Sequence, residues 1–292
     1  MNQDNLLGGY LRVILVAIFL IGSQGSVWAE PKENKPLVMG VFPIVSSGAL
    51  FKRFVPLKDY LSQQLGREVI LRTARDFPTF VSQTATRDYD IVITAPHFSL
   101  LATDSGDYEI VARPLRDLVS LMVVAKSSKI TNISQLAGKI IATPPKPALS
   151  TRSGKDYLKA KGLVGVDAPR YKAYKTHNAA YQAVLTNDAS AALVSINAVN
   201  KALDNGMPLR IIDKLPPLPA MPTLVARDLG KKILNDVKQA LVLMNDTEMG
   251  RAALKRVGFP GYTSSVVEDY LPVRPYKPAS SRLGKPASKK TK

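Results

Sequence analysis

Short apolar runs alternate with helical segments along most of the chain, and this alternation restricts the fold to an α/β class built on parallel strands. Apolar residues recur at spacings of three and four along residues 50–65, which is the period of an amphipathic helix. Ligands of parallel sheets bind beyond the carboxyl ends of the strands, so the loops after Pro43 and Ile93 are candidate walls of a site. The predicted order of this first part is strand 37–43, helix 50–65, strand 68–72, helix 77–86, strand 90–93 and helix 98–103.

A second alternating set begins at residue 120 and interrupts the first. Strands are predicted at 120–125, 140–143, 170–174, 191–194 and 209–213, helices at 155–161, 179–186 and 198–203, and then strand 223–226 and helices 229–243 and 248–256. We therefore predict two lobes, each a mixed, mostly parallel sheet flanked by helices: residues 36–120 plus 215–276 form lobe 1, and residues 121–214 form lobe 2. The chain crosses between them near residues 116–120 and 214–219, as a two-strand hinge that allows closure around a ligand in the interlobe cleft.

The two ends of the chain differ in composition from the lobes. The apolar run at 13–21 is too short to span a bilayer, and Val27 and Ala29 stand at the positions that a signal peptidase reads. We predict a signal peptide at residues 1–29, cleaved after Ala29, and hence an exported soluble protein; an uncleaved N-terminal anchor is the alternative. Residues 277–292 carry six Lys and Arg without apolar periodicity and predict a disordered tail, either a solvated appendage or a contact for anionic lipid or cell wall.

The composition excludes several classes of function. The 292 residues include no Cys and two His, which excludes a thiol nucleophile, a Cys-ligated metal and a His-rich metal site. The net charge of +17 indicates an anionic partner, but the cations follow no nucleic-acid motif, so no nucleic acid is predicted. Because no nucleophile elbow, P-loop or pair of catalytic carboxylates is recognisable, we predict that the protein is not an enzyme and holds no metal or cofactor. We also expect a monomer.

Residues 144–162 combine prolines, hydroxyl groups and a helical segment. Ser150, Thr151 and Ser153 precede Gly154, and the predicted helix follows at 155–161. Hydroxyl groups before a helix either cap the unpaired N–H groups of its first turn or bind an anion at the positive end of the helix dipole. Both interpretations stay open from these residues alone.

Several short motifs follow one another in order along residues 37–276. They are Gly40-Val41-Phe42-Pro43, Asp76-Phe77, Asp90-Ile91 with Ala95-Pro96, Ser134-Gln135-Leu136-Ala137-Gly138-Lys139, the hydroxyl cluster before Gly154, Thr176-His177-Asn178-Ala179-Ala180 and Leu218-Pro219-Ala220-Met221-Pro222. In this order and spacing the chain resembles the phosphonate/phosphite/phosphate-binding periplasmic proteins of ABC importers, a branch of the type II periplasmic binding proteins.

The resemblance implies a small oxyanion as the ligand, the periplasm as the location and the permease of an ABC importer as the membrane partner. A ligand-sensing module that presents its bound state to a membrane sensor kinase is the alternative. The implied ligand-binding residues are Ser150, Thr151, Ser153 and His177 of lobe 2 and Thr94, His97, Phe42 and Phe77 of lobe 1. For Phe42 and Phe77, packing in the core is an equal alternative.

Two departures from the family pattern bear on the ligand. Arg152 is an extra residue inside the hydroxyl cluster, and it either pairs with the anion or points to solvent. Residues 195–197 and Met221 stand where aminophosphonate binders of this family carry acidic residues, so the countercharges for an amine are missing. We therefore expect a phosphate-like oxyanion or a simple phosphonate rather than an aminoalkylphosphonate.

Overall fold

The computed structural model describes residues 35–279. The predicted signal peptide and the predicted tail beyond Ala279 lie outside these residues. Lys277, the first residue of the predicted tail, is bound through its ammonium group to the carboxylate of Asp104. Between residues 35 and 279, no helix has the length and apolar character needed to cross a bilayer.

The helices and strands alternate along the chain much as their apolar pattern predicts. In order they are β1 (Leu37–Val41), α1 (Ser47–Leu65), β2 (Val69–Arg72), α2 (Phe77–Ala85), β3 (Ile91–Ile93), α3 (Pro96–Asp104), β4 (Tyr108–Pro114), β5 (Ser120–Ala125), β6 (Ile140–Thr143), α4 (Leu149–Ala160), β7 (Arg170–Ala173), α5 (His177–Leu185), β8 (Ala191–Ser195), α6 (Ile196–Asp204), β9 (Leu209–Lys214), β10 (Thr223–Ala226), α7 (Gly230–Val242), α8 (Glu248–Val257) and β11 (Tyr262–Ser264). A segment of 3-10 helix, Val267–Tyr276, follows β11.

The strands form two mixed sheets. The six-stranded sheet has the order β11-β4-β10-β3-β1-β2, and the five-stranded sheet has the order β7-β6-β8-β5-β9. In the first sheet β1 pairs in parallel with β2 and β3, and in the second β6 pairs in parallel with β7 and β8. The remaining pairs are antiparallel. Two mixed sheets flanked by helices confirm the predicted α/β fold class. The expectation of mostly parallel sheets is not met, because β4, β5, β9, β10 and β11 pair antiparallel.

Each sheet is covered on both faces, because alternate residues of its central strands enter different apolar clusters. In β3, Ile91 and Ile93 pack on one side of the six-stranded sheet and Val92 packs on the other. In β5, Val123 and Met122 divide in the same way between the two faces of the five-stranded sheet. Burial on both faces explains why these strands are continuous apolar runs in the sequence.

Two strands and the 3-10 segment were missed by the sequence analysis. The strand β4 pairs antiparallel with β10, and β11 pairs antiparallel with β4. β4 directly follows α3 and precedes β5, so it interrupts the alternation of strand and helix on which the prediction relied. Its pairing with β10 joins residues more than a hundred positions apart, which no local pattern signals.

The chain passes between the two sheets twice, after β4 and after β9. Leu118 and Leu218 lie in these two passages and form an antiparallel bridge. The N–H of each donates to the carbonyl oxygen of the other, at 2.8 and 2.9 Å. This bridge lies within the two stretches, 116–120 and 214–219, in which the hinge is predicted.

Candidate functional site

Three helices begin at one edge of the five-stranded sheet. Because β6, β7 and β8 run parallel, their carboxyl ends lie at the same edge, and α4, α5 and α6 start there. The backbone N–H groups of a first helical turn lack partners within the helix, and the helix dipole makes this end positive. Thr176 caps α5 by accepting the Ala179 N–H at 3.0 Å, whereas α4 and α6 have no side-chain cap. The two uncapped ends make this edge favourable for an anion.

The six-stranded sheet repeats this arrangement. The parallel strands β1, β2 and β3 lead into α1, α2 and α3, so these helices also begin at one edge. The first turn of α2 is occupied by the Asp76 carboxylate, which accepts the Thr79 N–H at 2.8 Å. The N-caps of α1 and α3, Ser46 and Ala95, make no such side-chain bond.

The two edges contact each other directly. The His97 Nε2 atom of α3 lies 2.9 Å from the carbonyl oxygen of Pro147, in the loop before α4. Leu149, the first residue of α4, is buried in an apolar cluster that belongs mostly to the six-stranded half. The Arg152 guanidinium donates a hydrogen bond to the carbonyl oxygen of Tyr276. The start of α4 is therefore packed against the other half of the molecule at three points.

The predicted helix start at residue 155 is wrong, because α4 begins at Leu149, so Ser150, Thr151 and Ser153 lie within the helix rather than before it. The three hydroxyls lie in the first two turns of the helix. The N-cap is Ala148, which offers no side-chain cap, and none of the three caps the helix. Gly154 was interpreted as a boundary, but it allows close packing: a Cβ there would lie 1.9 Å from Leu193 Cδ2.

The three hydroxyl residues of α4 differ in their surroundings. Thr151 is 1% exposed, and its Oγ1 donates to the carbonyl oxygen of Pro144 at 3.1 Å, so its proton is already used within the five-stranded half. Ser150 and Ser153 are partly exposed beside the uncapped first turn. Among the three, these two serines have the hydroxyl groups best placed to bind a ligand.

His97 is 1% exposed and sits in the first turn of α3. Because a carbonyl oxygen only accepts, Nε2 carries the proton in the bond to Pro147, which leaves Nδ1 as an unprotonated acceptor. Nδ1 is buried and has no hydrogen-bond partner among the described residues. Burial lowers the pKa of His97 to about 4, so the ring is neutral at pH 7.

His177 is the first residue of α5 and is partly buried. Its Nδ1 accepts the backbone N–H of Ser195 at 3.0 Å, which fixes the proton on Nε2. Burial lowers its pKa to about 4 as well. His177 therefore presents a neutral N–H donor on Nε2 and, through Nδ1, ties the start of α5 to the end of β8.

The aromatic residues form a cluster rather than an open wall. Phe42 is 2% exposed, and its ring centroid lies 4.3 Å from that of Phe77 and 5.3 Å from that of Phe98. Phe77 is partly exposed. Leu149 belongs to the same apolar cluster, which the sequence analysis did not foresee.

The last candidates are Thr94, a predicted ligand-binding residue, and Met221 and Ser195, which stand where related proteins carry acidic residues. Thr94 is buried after β3, and its backbone N–H donates to Pro222 at 3.3 Å. Met221 packs against both clusters of the six-stranded half, and Ser195 is held by His177. Between residues 35 and 279, no group of three or more His, Cys, Asp and Glu side chains is placed to hold a metal ion.

Sequence and structure comparisons agree on the kind of protein that this chain resembles. The sequence profile described as "ABC transporter, phosphonate, periplasmic substrate-binding protein" matches residues 39–270. A binding protein component of an ABC phosphonate transporter from Pseudomonas aeruginosa superposes with a TM-score of 0.70 at 19% identity, covering 82% of this chain and 85% of that chain.

Two further solved structures are similar. PhnD1 from Prochlorococcus marinus (MIT 9301), in complex with methylphosphonate, has a TM-score of 0.73 at 18% identity and covers 83% of this chain and 97% of that chain. A Xanthomonas citri protein bound to ATP has a TM-score of 0.70 at 17% identity and covers 85% and 97%. At these low identities the structural likenesses show the fold only. The family is shown by the sequence profile, which matches most of the chain. The chain therefore belongs to the family of periplasmic substrate-binding proteins of phosphonate ABC transporters.

Proposed function

We propose that this protein captures a small phosphorus oxyanion between the two sheet edges. The observation that carries the proposal is the start of α4, where an uncapped first turn and the hydroxyls of Ser150 and Ser153 adjoin the His97 contact from the other half. Backbone N–H groups and hydroxyls at a positive helix end are the donors that a phosphoryl group needs. The His177 Nε2–H adds a neutral donor.

Capture requires the two halves to separate and close. We propose that the six-stranded sheet with residues 36–120 and 215–276 is one lobe, that the five-stranded sheet with residues 121–214 is the other, and that the Leu118–Leu218 bridge lies in the hinge. The direct contacts of Leu149 and Arg152 with the opposite half correspond to the closed arrangement. Two connecting segments side by side are a common hinge for such closure.

The side chains around the site favour a ligand without an amino group. Both histidines are neutral at pH 7, and Met221 and the start of α6 supply no carboxylate. An ammonium group brought into the closed interface would be left without a countercharge, which is costly. Two of the similar solved structures hold methylphosphonate and ATP, and both ligands carry phosphorus oxyanion groups. We propose phosphate, phosphite or an uncharged-chain phosphonate as the ligand class.

A thermal-unfolding series tests the ligand class. Phosphate, phosphite, methylphosphonate, sulfate and aminoethylphosphonate are added to the purified protein in turn. A ligand at a hundred times its dissociation constant stabilises the folded state by about 2.7 kcal/mol. We expect stabilisation by at least one of the first three and none by aminoethylphosphonate. Stabilisation by aminoethylphosphonate alone would contradict the argument from the missing carboxylates.

Serine variants test the position of the site. Ser150→Ala together with Ser153→Ala should abolish the stabilisation while the unliganded unfolding temperature changes little, because both side chains are partly exposed. Ser134→Ala is the matched control, since Ser134 lies before β6 at the opposite edge of the same sheet. Normal oxyanion binding by the double variant would place the ligand elsewhere.

We further propose that the protein is exported after cleavage behind Ala29, delivers its ligand unchanged to an ABC permease and performs no chemistry on it. Growth of a deletion strain on the ligand as sole phosphorus source distinguishes delivery from sensing. Loss of growth supports the importer role. Retained growth with a lost transcriptional response would favour the sensor-kinase alternative. The mass of the secreted protein gives the cleavage position, and recovery of intact phosphonate from the complex tests the absence of chemistry.

A further inference from the structure

An apolar turn between α4 and β7 projects from the end of the five-stranded half. Its Val164 and Val166 side chains are 47% and 97% exposed. Leu163, directly before them, is buried in the cluster beneath the sheet and anchors the turn. The two valines are therefore held outward by the fold. We call the surface made by residues 155–175 the basic turn surface.

The basic turn surface is strongly cationic. Residues 155–175 include six Lys and Arg and two Asp. Residues 121–214 contain fourteen Lys and Arg against five Asp and Glu, whereas residues 36–120 and 215–276 together contain seventeen against fifteen. The positive charge of the folded part is thus concentrated in the half that carries the turn. The six cations are Lys155, Lys159, Lys161, Arg170, Lys172 and Lys175.

Tyrosine rings lie among these cations. The ammonium nitrogen of Lys155 is 4.6 Å from the ring centroid of Tyr171, that of Lys161 is 5.5 Å from the ring of Tyr157, and that of Lys172 is 5.5 Å from the ring of Tyr174. The tyrosine rings pack against the apolar clusters beneath the surface, so they support the lysine side chains from below. Lysine keeps its charge in water while its stem lies on apolar surface, which suits a boundary between water and hydrocarbon.

We propose that the basic turn surface binds a bilayer that contains anionic lipids. Val164 and Val166 enter the headgroup region, and the surrounding cations contact lipid phosphates. Charge attraction and buried apolar area together hold peripheral proteins on membranes. A water-soluble polyanion would match the cations but leave both valines in water. Val164 and Val166 follow the C-terminus of α4, so the two valines lie at the end of the helix opposite Ser150 and Ser153.

Flotation with lipid vesicles tests this proposal. The chain from Glu30 onward should float with vesicles of phosphatidylcholine and phosphatidylglycerol and remain in solution with phosphatidylcholine alone, and raised salt should release it. Lys159→Gln with Lys172→Gln should weaken binding about fivefold for each cation removed, as expected near an anionic surface. The matched control is Lys231→Gln with Lys255→Gln, two exposed cations of α7 and α8 in the other half.

The control pair separates the basic turn surface from a general effect of charge. Every variant keeps the basic C-terminal residues, so these cannot cause a difference between the two pairs. An equal loss in both pairs, or no binding to anionic vesicles, would overturn the proposal. An unfolding temperature equal to that of the natural protein, without added ligand, shows that each variant is folded.

A fluorescence experiment tests insertion of the turn. The single Trp of the chain is Trp28, so the chain from Glu30 onward has none. Val166→Trp introduces one reporter, and Leu243→Trp is the control at a 48% exposed position in the other half. Anionic vesicles should shift the emission of the first variant to shorter wavelength and leave the second unchanged. Vesicle binding without that shift would refute insertion.

The double variant Val164→Ser with Val166→Ser tests the apolar contribution separately. It should bind anionic vesicles about tenfold more weakly, and undiminished binding would also refute insertion.

Discussion

The imidazole of His97 donates a hydrogen bond to the carbonyl oxygen of Pro147 across the interface between the two halves, at 2.9 Å. Pro147 lies just before α4, so this bond helps to set the position of the uncapped helix start. Leu149 packs beside it, and the Arg152–Tyr276 bond lies one helical turn further on. Closure of the two halves therefore depends on contacts that the protein makes with itself as well as on contacts with a ligand.

Replacement of His97 tests the contribution of this bond to ligand binding. His97→Leu removes the donor, and because Pro147 is exposed and its carbonyl can turn to water, the cost is that of an ordinary hydrogen bond, about 0.5–1.5 kcal/mol in the closed form. We expect ligand affinity to fall by roughly two- to tenfold. His97→Gln is the conservative control, because its amide nitrogen replaces Nε2 as the donor. Titration calorimetry measures both, and equal affinities for the two variants and the natural protein would exclude a role for the bond.

The two histidines predict a loss of stability in mild acid. Burial lowers the pKa of His97 and His177 to about 4, whereas the usual value is about 6.5. Below pH 6.5 the unfolded chain takes up protons that the folded protein does not. The free energy of unfolding should therefore fall by up to about 1.4 kcal/mol per pH unit and histidine between pH 6.5 and 4, and this contribution should level off below pH 4.

Urea unfolding between pH 7 and 4 measures this dependence. His97→Gln and His177→Gln remove one titrating group each, so each variant should show a flatter profile than the natural protein. Hydrogen bonds lower the pKa values of carboxylates such as Asp76 and Asp269 from the usual 3.8, so in the folded protein these groups titrate below this range, and they are the same in every variant. Parallel profiles in all three proteins would contradict the depressed histidine pKa values.

Loss of the Arg152 side chain should weaken ligand binding without destabilising either half. Its guanidinium joins α4 to Tyr276 of the six-stranded half, and a hydrogen bond from a charged group contributes about 1.5–3 kcal/mol. Arg152→Gln should make closure costlier and lower the affinity by roughly tenfold or more. Lys159→Gln, an exposed cation on the same helix, is the control for charge. X-ray scattering of the unliganded proteins should show a larger radius of gyration for the Arg152 variant alone.

The sequence predicts most of the fold because each of these strands and helices is signalled by the apolar pattern of its own residues. β6 and β10 match their predicted bounds, since buried strands read as continuous apolar runs. The site is predicted less well. The sequence places the relevant hydroxyls correctly at the start of a helix but misplaces that start, because Gly154 resembles a boundary and is instead a packing residue.

The contacts across the interface could not be predicted at all. Arg152 was expected either to bind the anion or to point to solvent, and it bonds to a backbone carbonyl 124 positions away in the sequence. The Tyr276 carbonyl has no side-chain signature, and the partner of Leu149 is a cluster assembled from several distant segments. Such contacts follow from the relative placement of the two halves, which no local motif encodes.

Gly154 and Leu193 should show coupled effects on stability. An added methyl at Gly154 would lie 1.9 Å from the buried Leu193 Cδ2 atom. Gly154→Ala therefore overpacks the site, which costs about 1–3 kcal/mol of stability. The higher helix propensity of Ala offsets about 1 kcal/mol of this cost. Leu193→Val alone should cost about 1 kcal/mol, but in the Gly154→Ala background it relieves the clash. Urea unfolding gives the free energy lost in each single variant and in the double variant. The loss in the double variant should be smaller than the sum of the two single losses by at least about 0.5 kcal/mol. Additive losses would mean that α4 does not approach β8 this closely. Gly48→Ala, at a helical glycine with no atom within 4 Å of the added methyl, should show no such cost.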